Sequence, residues 1–137
     1  MPNQCRAGKI RNTSLIVALL IGMGGCCWLW PWDIGLAYED DMAADYAVWA
    51  LDSRESAAIV RKTGPHGATV IVGDGITVYG WNSDFIIAKR GIADWYVVEV
   101  ATEKVHGPLT EEQYAGLRHV LGVPPSLTFT RNVFSRK

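Results

Sequence analysis

The chain is poor in most of what announces the chemistry of a small domain. It has 3 cysteines in 137 residues, the last at Cys27. Beyond that point no internal disulfide can form, which excludes a disulfide scaffold. It has 3 histidines, His66, His106 and His119. No two of them have zinc-motif spacing and no later cysteine can join them, so no metal site is expected. It lacks a surplus of positive charge, with 13 basic against 14 acidic residues. That balance argues against a nucleic-acid partner, because phosphate neutralisation dominates such affinity. Ser53, Ser56 and Ser83 lack a Gly-x-Ser-x-Gly context. Gly73-Asp74-Gly75 precedes a strand pattern rather than a helix, so it is read as a hairpin turn and not a phosphate cradle. No cofactor is expected.

What is present divides unevenly. Arg6, Lys9 and Arg11 carry all the charge before Asp33, whereas from Asp33 onward 10 basic residues face 14 acidic ones. Between Thr13 and Trp32 cysteine is the one ionisable side chain. About 20 helical residues span a hydrocarbon layer of about 30 Å, and this run shows no polar stripe. Residues 1–32 are therefore predicted to be a transmembrane anchor, a signal peptide or a lipoprotein leader. The basic flank stays in the cytoplasm and the rest faces outward. Trp28, Trp30 and Trp32 suit the far headgroup boundary. Met23-Gly24-Gly25-Cys26 is similar to a bacterial lipobox, with Met where Leu is usual, and makes Cys26 the candidate for lipid attachment. Cys26 and Cys27, as neighbours, are poorly placed to bond each other.

Residues 33–44, with Glu39-Asp40-Asp41 at their centre, read as an acidic tether, since acidic runs are usually solvated. Residues 45–137 read as a β-rich domain on the outer side. Apolar runs recur at 46–51, 57–62, 68–72, 76–81, 85–89 and 95–100, separated by turn signals. The connections are too short for parallel crossovers. This predicts a mainly antiparallel meander of five to six strands. Ile76 and Val78 are expected on one face of their strand, with Thr77, Tyr79 and Trp81 on the other. One helix follows. Thr110-Glu111-Glu112-Gln113 fits a capping box, Tyr114, Leu117 and Leu121 share a face, and Gly122 closes the helix before Pro124-Pro125. The class is α+β, with the sheet's apolar face on that helical stripe.

Tyr79, Trp81-Asn82, Phe85-Ile86-Ile87-Ala88-Lys89, Trp95-Tyr96-Val97-Val98, Gly107 to Tyr114 and Leu121-Gly122-Val123 occur in that order. Together they resemble a family of small, uncharacterised bacterial lipoproteins and membrane-tethered exported domains. The resemblance implies an exported location and supplies no catalytic residue.

These features point to a membrane-tethered binding or structural module of the cell envelope, without enzymatic activity. It meets the membrane through its first segment and an envelope protein through a sheet edge or an exposed aromatic face. Trp49 and Trp81 are the candidate surface platform. The stretches 45–52 and 127–130 are the candidate edges. Lys89-Arg90 with Trp95 and Tyr96 reads as core and cross-strand pairing. Two other classes remain open. One is a small envelope hydrolase using Asp45, Asp52, Asp74, Asp84 or Asp94 with His66 or His106. The other is an inhibitor or immunity-like protein that blocks an exported enzyme.

Overall fold

The computed structural model describes residues 36–65 and 67–135, all within the second of two compact units, Leu36–Lys137. The apolar run, Cys26 and His66 lie outside the described residues. The described chain forms β1 (Tyr38–Asp41), β2 (Tyr46–Ala50), a single 3-10 turn (Arg54–Ser56), β3 (Ala58–Gly64) and β4 (Gly67–Val72). Then come β5 (Ile76–Trp81), β6 (Phe85–Arg90), β7 (Asp94–Glu99), β8 (Lys104–Leu109), helix α1 (Glu111–Leu121) and β9 (Arg131–Asn132). Every strand pairing is antiparallel. The fold is α+β.

The expected single meander is two sheets. Their strand orders are β1-β2-β3-β4 and β8-β7-β6-β5-β9. The break falls at Gly73-Asp74-Gly75, where a hairpin was expected. β4 and β5 do not pair, and Ile76 N–H donates to Ala57 O at 2.9 Å instead. The turn residues bend the chain as their chemistry predicts, but they carry it into a second layer. The physical reason is burial on both sides. Tyr46, Val48, Ile59 and Val72 from the first sheet share one core with Ile76, Tyr79, Ile86 and Val98 from the second. Each such side chain contributes about 1.5–3 kcal/mol once buried. The opposite face of the second sheet places Ile87 and Val97 against Tyr114, Val123 and Leu127. Sheet, sheet and helix thus form successive layers.

Three details correct the sequence reading. Residues 38–41, expected within the tether, pair with β2 as a strand, and Tyr38 and Met42 enter the core. The stretch 46–50 is not an edge, because β2 lies between β1 and β3, and residues 127–130 form no strand. A bulge at Thr77 breaks the alternation of β5, so Ile76 and Tyr79 both face the shared core.

Helix α1 follows its local signals. Gln113 N–H donates to Thr110 Oγ1 at 3.3 Å, and Thr110 N–H donates to Gln113 Oε1 at 2.9 Å. Gly122 adopts a φ of +69° and donates to the carbonyls of Arg118 and His119. Arg118 Nη2 then donates to Pro124 O at 2.8 Å and Leu127 O at 2.7 Å, fixing the exit path. That path crosses Gly80 so closely that a Cβ there would lie 2.0 Å from Thr128 O.

Candidate functional site

The first sheet has a second face. Cross-strand partners share a face, so Glu39, Trp49 and Ala58 lie together, as do Asp41, Ala47 and Val60, with Val70 and Ala68 beyond. Among the described residues no element covers this side. A solvated sheet face is usually polar. At the centre of this one the apolar side chains of Ala47, Ala58 and Val60 are buried, and beside them opens a groove of about 220 Å³ lined by Trp49, Leu51, Ala58, Val60, Val70 and Asp74. Leu51 and Val70 are 65% and 59% exposed, an uncommon arrangement for large apolar side chains that neighbour each other.

Trp49 is held in place. Its Nε1–H donates to Glu39 Oε1 at 3.2 Å. Lys62 Nζ lies 5.9 Å from the ring centroid and donates to Glu39 Oε1 at 3.2 Å and to Asp41 Oδ1. The hydrogen bond to Asp41 is the main reason the Lys62 ammonium titrates above its usual range. The far end of the groove is Asp74, whose carboxylate has no hydrogen bond or ion pair among the described residues.

Other clusters offer less. A shallow depression of about 440 Å³ joins Asp74 and Gly75 to the β6–β7 turn. Of its charged groups, Arg90 and Asp94 are matched to each other, Arg90 donating to Asp94 Oδ2 from Nε at 3.2 Å and from Nη2 at 2.8 Å. Trp81 stacks on Tyr79 at 6.0 Å, packs against the shared core and is covered by Arg131 at 5.7 Å. Trp49 and Trp81 therefore belong to different surfaces. Lys89 sits 4.4 Å over Trp95, which stacks on Tyr114 at 4.7 Å, so this basic-aromatic group lies over the helix-side core.

His106 Nε2–H donates to Glu99 Oε1 at 2.7 Å. That bond, with a smaller contribution from Thr102, holds the Glu99 carboxyl below its ordinary range. None of the five aspartates considered beside His106 is its partner, and no nucleophile lies within hydrogen-bond reach of the ring among the described residues. Glu99 went unnoticed in the sequence because β8, which brings His106 alongside β7, has no clear strand pattern. His119 lies in the last turn of α1, where a basic group suits the helix dipole. Among the described residues no three histidine, cysteine or carboxylate side chains are grouped to hold a metal ion. Among them, also, no helix is long and apolar enough to cross a membrane.

A family model for DUF3997, described as a protein of unknown function, matches residues 43–133. The chain belongs to the DUF3997 family. The match runs from just before β2 to just past β9, so it takes in the Trp49 groove and helix α1. No curated protein and no solved structure matches the chain. Membership of an uncharacterised family agrees with the coarser part of the expected resemblance.

Proposed function

We propose that this DUF3997 domain is a non-enzymatic binding module held outside the cytoplasmic membrane, and that it recognises an envelope protein through the groove at Trp49. The observation that carries the binding surface is the apolar outer face of the first sheet, with Leu51 and Val70 exposed around an oriented indole. Such a patch, rimmed by Glu39, Asp41, Lys62 and Asp74, has the composition of a protein contact. The tether is supported by the apolar run 14–32 with its basic flank. Lipid attachment at Cys26 is the finer form of the same proposal.

The test has two arms. Intact mass of the protein from membranes distinguishes a full-length anchor from a lipidated chain that starts at Cys26. Protease added to intact spheroplasts should digest the domain. A cytosolic protein protected from protease overturns the reading. For the surface, Trp49→Ala and Val70→Lys should abolish copurification of a partner, whereas Val120→Lys, on the exposed side of α1, should not. Equal retention by all three variants sinks the groove. If that partner is an exported enzyme and its activity falls on binding, the module is an inhibitor.

The hydrolase alternative rests on the Glu99–His106 pair. A hydrolytic activity lost on His106→Ala and unaffected by Trp49→Ala would favour it.

A further inference from the structure

Among the described residues the two sheets end in four edge strands, β1, β4, β8 and β9. An exposed edge offers unpaired backbone donors and acceptors, and proteins usually blunt it with charge, proline or brevity. Three of the four follow that rule. β1 reads Tyr38-Glu39-Asp40-Asp41. β8 contains Lys104 and Pro108. β9 has 2 residues. β4 reads Gly67-Ala68-Thr69-Val70-Ile71-Val72, without charge or proline. β4 bulges at Ile71 and β3 bulges at Thr63, opposite the Gly67–Ala68 step, so residues 67–70 of β4 run on without an extra residue. That stretch borders the Trp49 groove, to which Ala68 and Val70 contribute.

We propose that an extended segment of a partner, with alternating apolar side chains and a basic residue, adds to β4 as a fifth strand of the first sheet. This rests on the binding-module reading and specifies how the partner is held. Backbone hydrogen bonds to residues 67–70 supply the pairing, and alternate side chains on the outer face continue the surface of Ala68 and Val70 into the groove. Charge decides the chemistry of the occupant. Among the described residues, Glu39, Asp41 and Asp74 stand on this face against Lys62, which is already engaged by the first two, while Arg90, in the adjoining depression, is bound to Asp94. Asp74 is left to meet a cation. β4 carries no basic residue, so a second copy of this chain answers Asp74 poorly.

The full-length protein in nanodiscs is titrated with a blocked octapeptide Lys-Thr-Val-Thr-Val-Thr-Val-Thr, whose Lys shares the Val face (the Val–Lys peptide), and in parallel with its counterpart carrying Glu for Lys (the Val–Glu peptide). The Val–Lys peptide should slow amide exchange at residues 67–70 by about tenfold, and the Val–Glu peptide should not. Methylating alternate peptide nitrogens on the pairing side should abolish binding. Val70→Lys should do the same. Asp74→Asn should weaken binding by about threefold, the worth of an exposed ion pair. Several results overturn the proposal. If binding depends on Trp49 but leaves residues 67–70 unprotected and tolerates N-methylation, the groove reading stands and strand addition fails. If the Val–Lys peptide does not bind at all, strand addition by this chemistry fails; if Trp49→Ala also leaves partner copurification intact, the groove reading fails with it. If residues 67–70 become protected without peptide as concentration rises, the occupant is a second copy.

Discussion

The hydroxyl of Tyr79 donates to Asp40 Oδ2 at 2.6 Å, a hydrogen bond that runs from β5 of the second sheet to β1 of the first. The same hydroxyl lies 2.7 Å from that of Tyr38. A phenol has one proton, so Tyr38 must donate to Tyr79 while Tyr79 donates to Asp40. Arg131 closes the chain, with Nε 3.4 Å from the same Asp40 oxygen. Burial, with the bonds to Asp40 and Tyr38, drives the Tyr79 phenol far above its ordinary value and keeps it a donor. One carboxylate of the acidic strand, Asp40, thus meets Tyr79 of β5 and Arg131 of β9.

Removing that hydroxyl should be costly. Tyr79→Phe removes the hydroxyl that accepts from Tyr38 and donates to Asp40, and should cost about 1–3 kcal/mol of folding stability. Tyr46 supplies the contrast, because its buried hydroxyl has no hydrogen-bond partner among the described residues. Tyr46→Phe should leave stability unchanged or slightly higher. Paired thermal melts check both, and equal losses would contradict the network.

A second pair of substitutions tests the layer contact at Gly80. A methyl group there would collide with the Thr128 carbonyl, so Gly80→Ala should cost at least about 2 kcal/mol. Gly116 lies inside α1 with nothing within 4 Å of a built Cβ. Gly116→Ala should therefore stabilise by about 0.5–1 kcal/mol. Urea denaturation of the two variants should give shifts of opposite sign.

The Glu99–His106 pair predicts a pH dependence. Glu99 titrates below the usual 4.5, chiefly because His106 donates to it. A depressed carboxyl contributes stability that is present above its unfolded value and is lost as pH falls through the folded one. His106→Ala should raise the Glu99 midpoint toward 4.5 and flatten the loss of stability in acid. Carboxyl NMR titration of Glu99 in both proteins reads the shift directly. An unchanged midpoint would show that the bond is not made in solution.

The helix cap gives the last prediction. Thr110→Ala removes the side-chain acceptor for Gln113 N–H and should cost about 1 kcal/mol. Thr110→Ser should restore most of it, as measured by helical circular dichroism during unfolding.

Local order was legible in the sequence wherever it depends on near neighbours. The Thr110 cap, the Gly122 stop and the strand at 76–81 follow from residues three or four apart, or from period-two alternation. The same runs that read as strands at 46–51, 57–62, 85–89 and 95–100 are strands with ends shifted by one or two residues. β1 was missed because three acids in four residues resemble a solvated run. Its place is set by the pairing with β2 and by Tyr38 reaching Tyr79, 41 positions away. β8 was missed because Gly107 and Pro108 read as a turn. Of the site, Trp49 is legible as a surface platform and Asp74 as a turn residue and candidate acid, but Val60 and Val70 are not, since the face they share depends on strand register.

The sequence by itself determined the class of the domain, its helix and the positions of most strands, because backbone propensity and side-chain alternation act within a few residues. It also set a charge asymmetry and an apolar run, on which the proposed tether rests. Only the tertiary structure decided that Gly73-Asp74-Gly75 changes sheets, which edges are left open and which side chains meet at Trp49. Those outcomes depend on where apolar surface on distant strands is best buried, and that free energy belongs to the packed layers rather than to any segment.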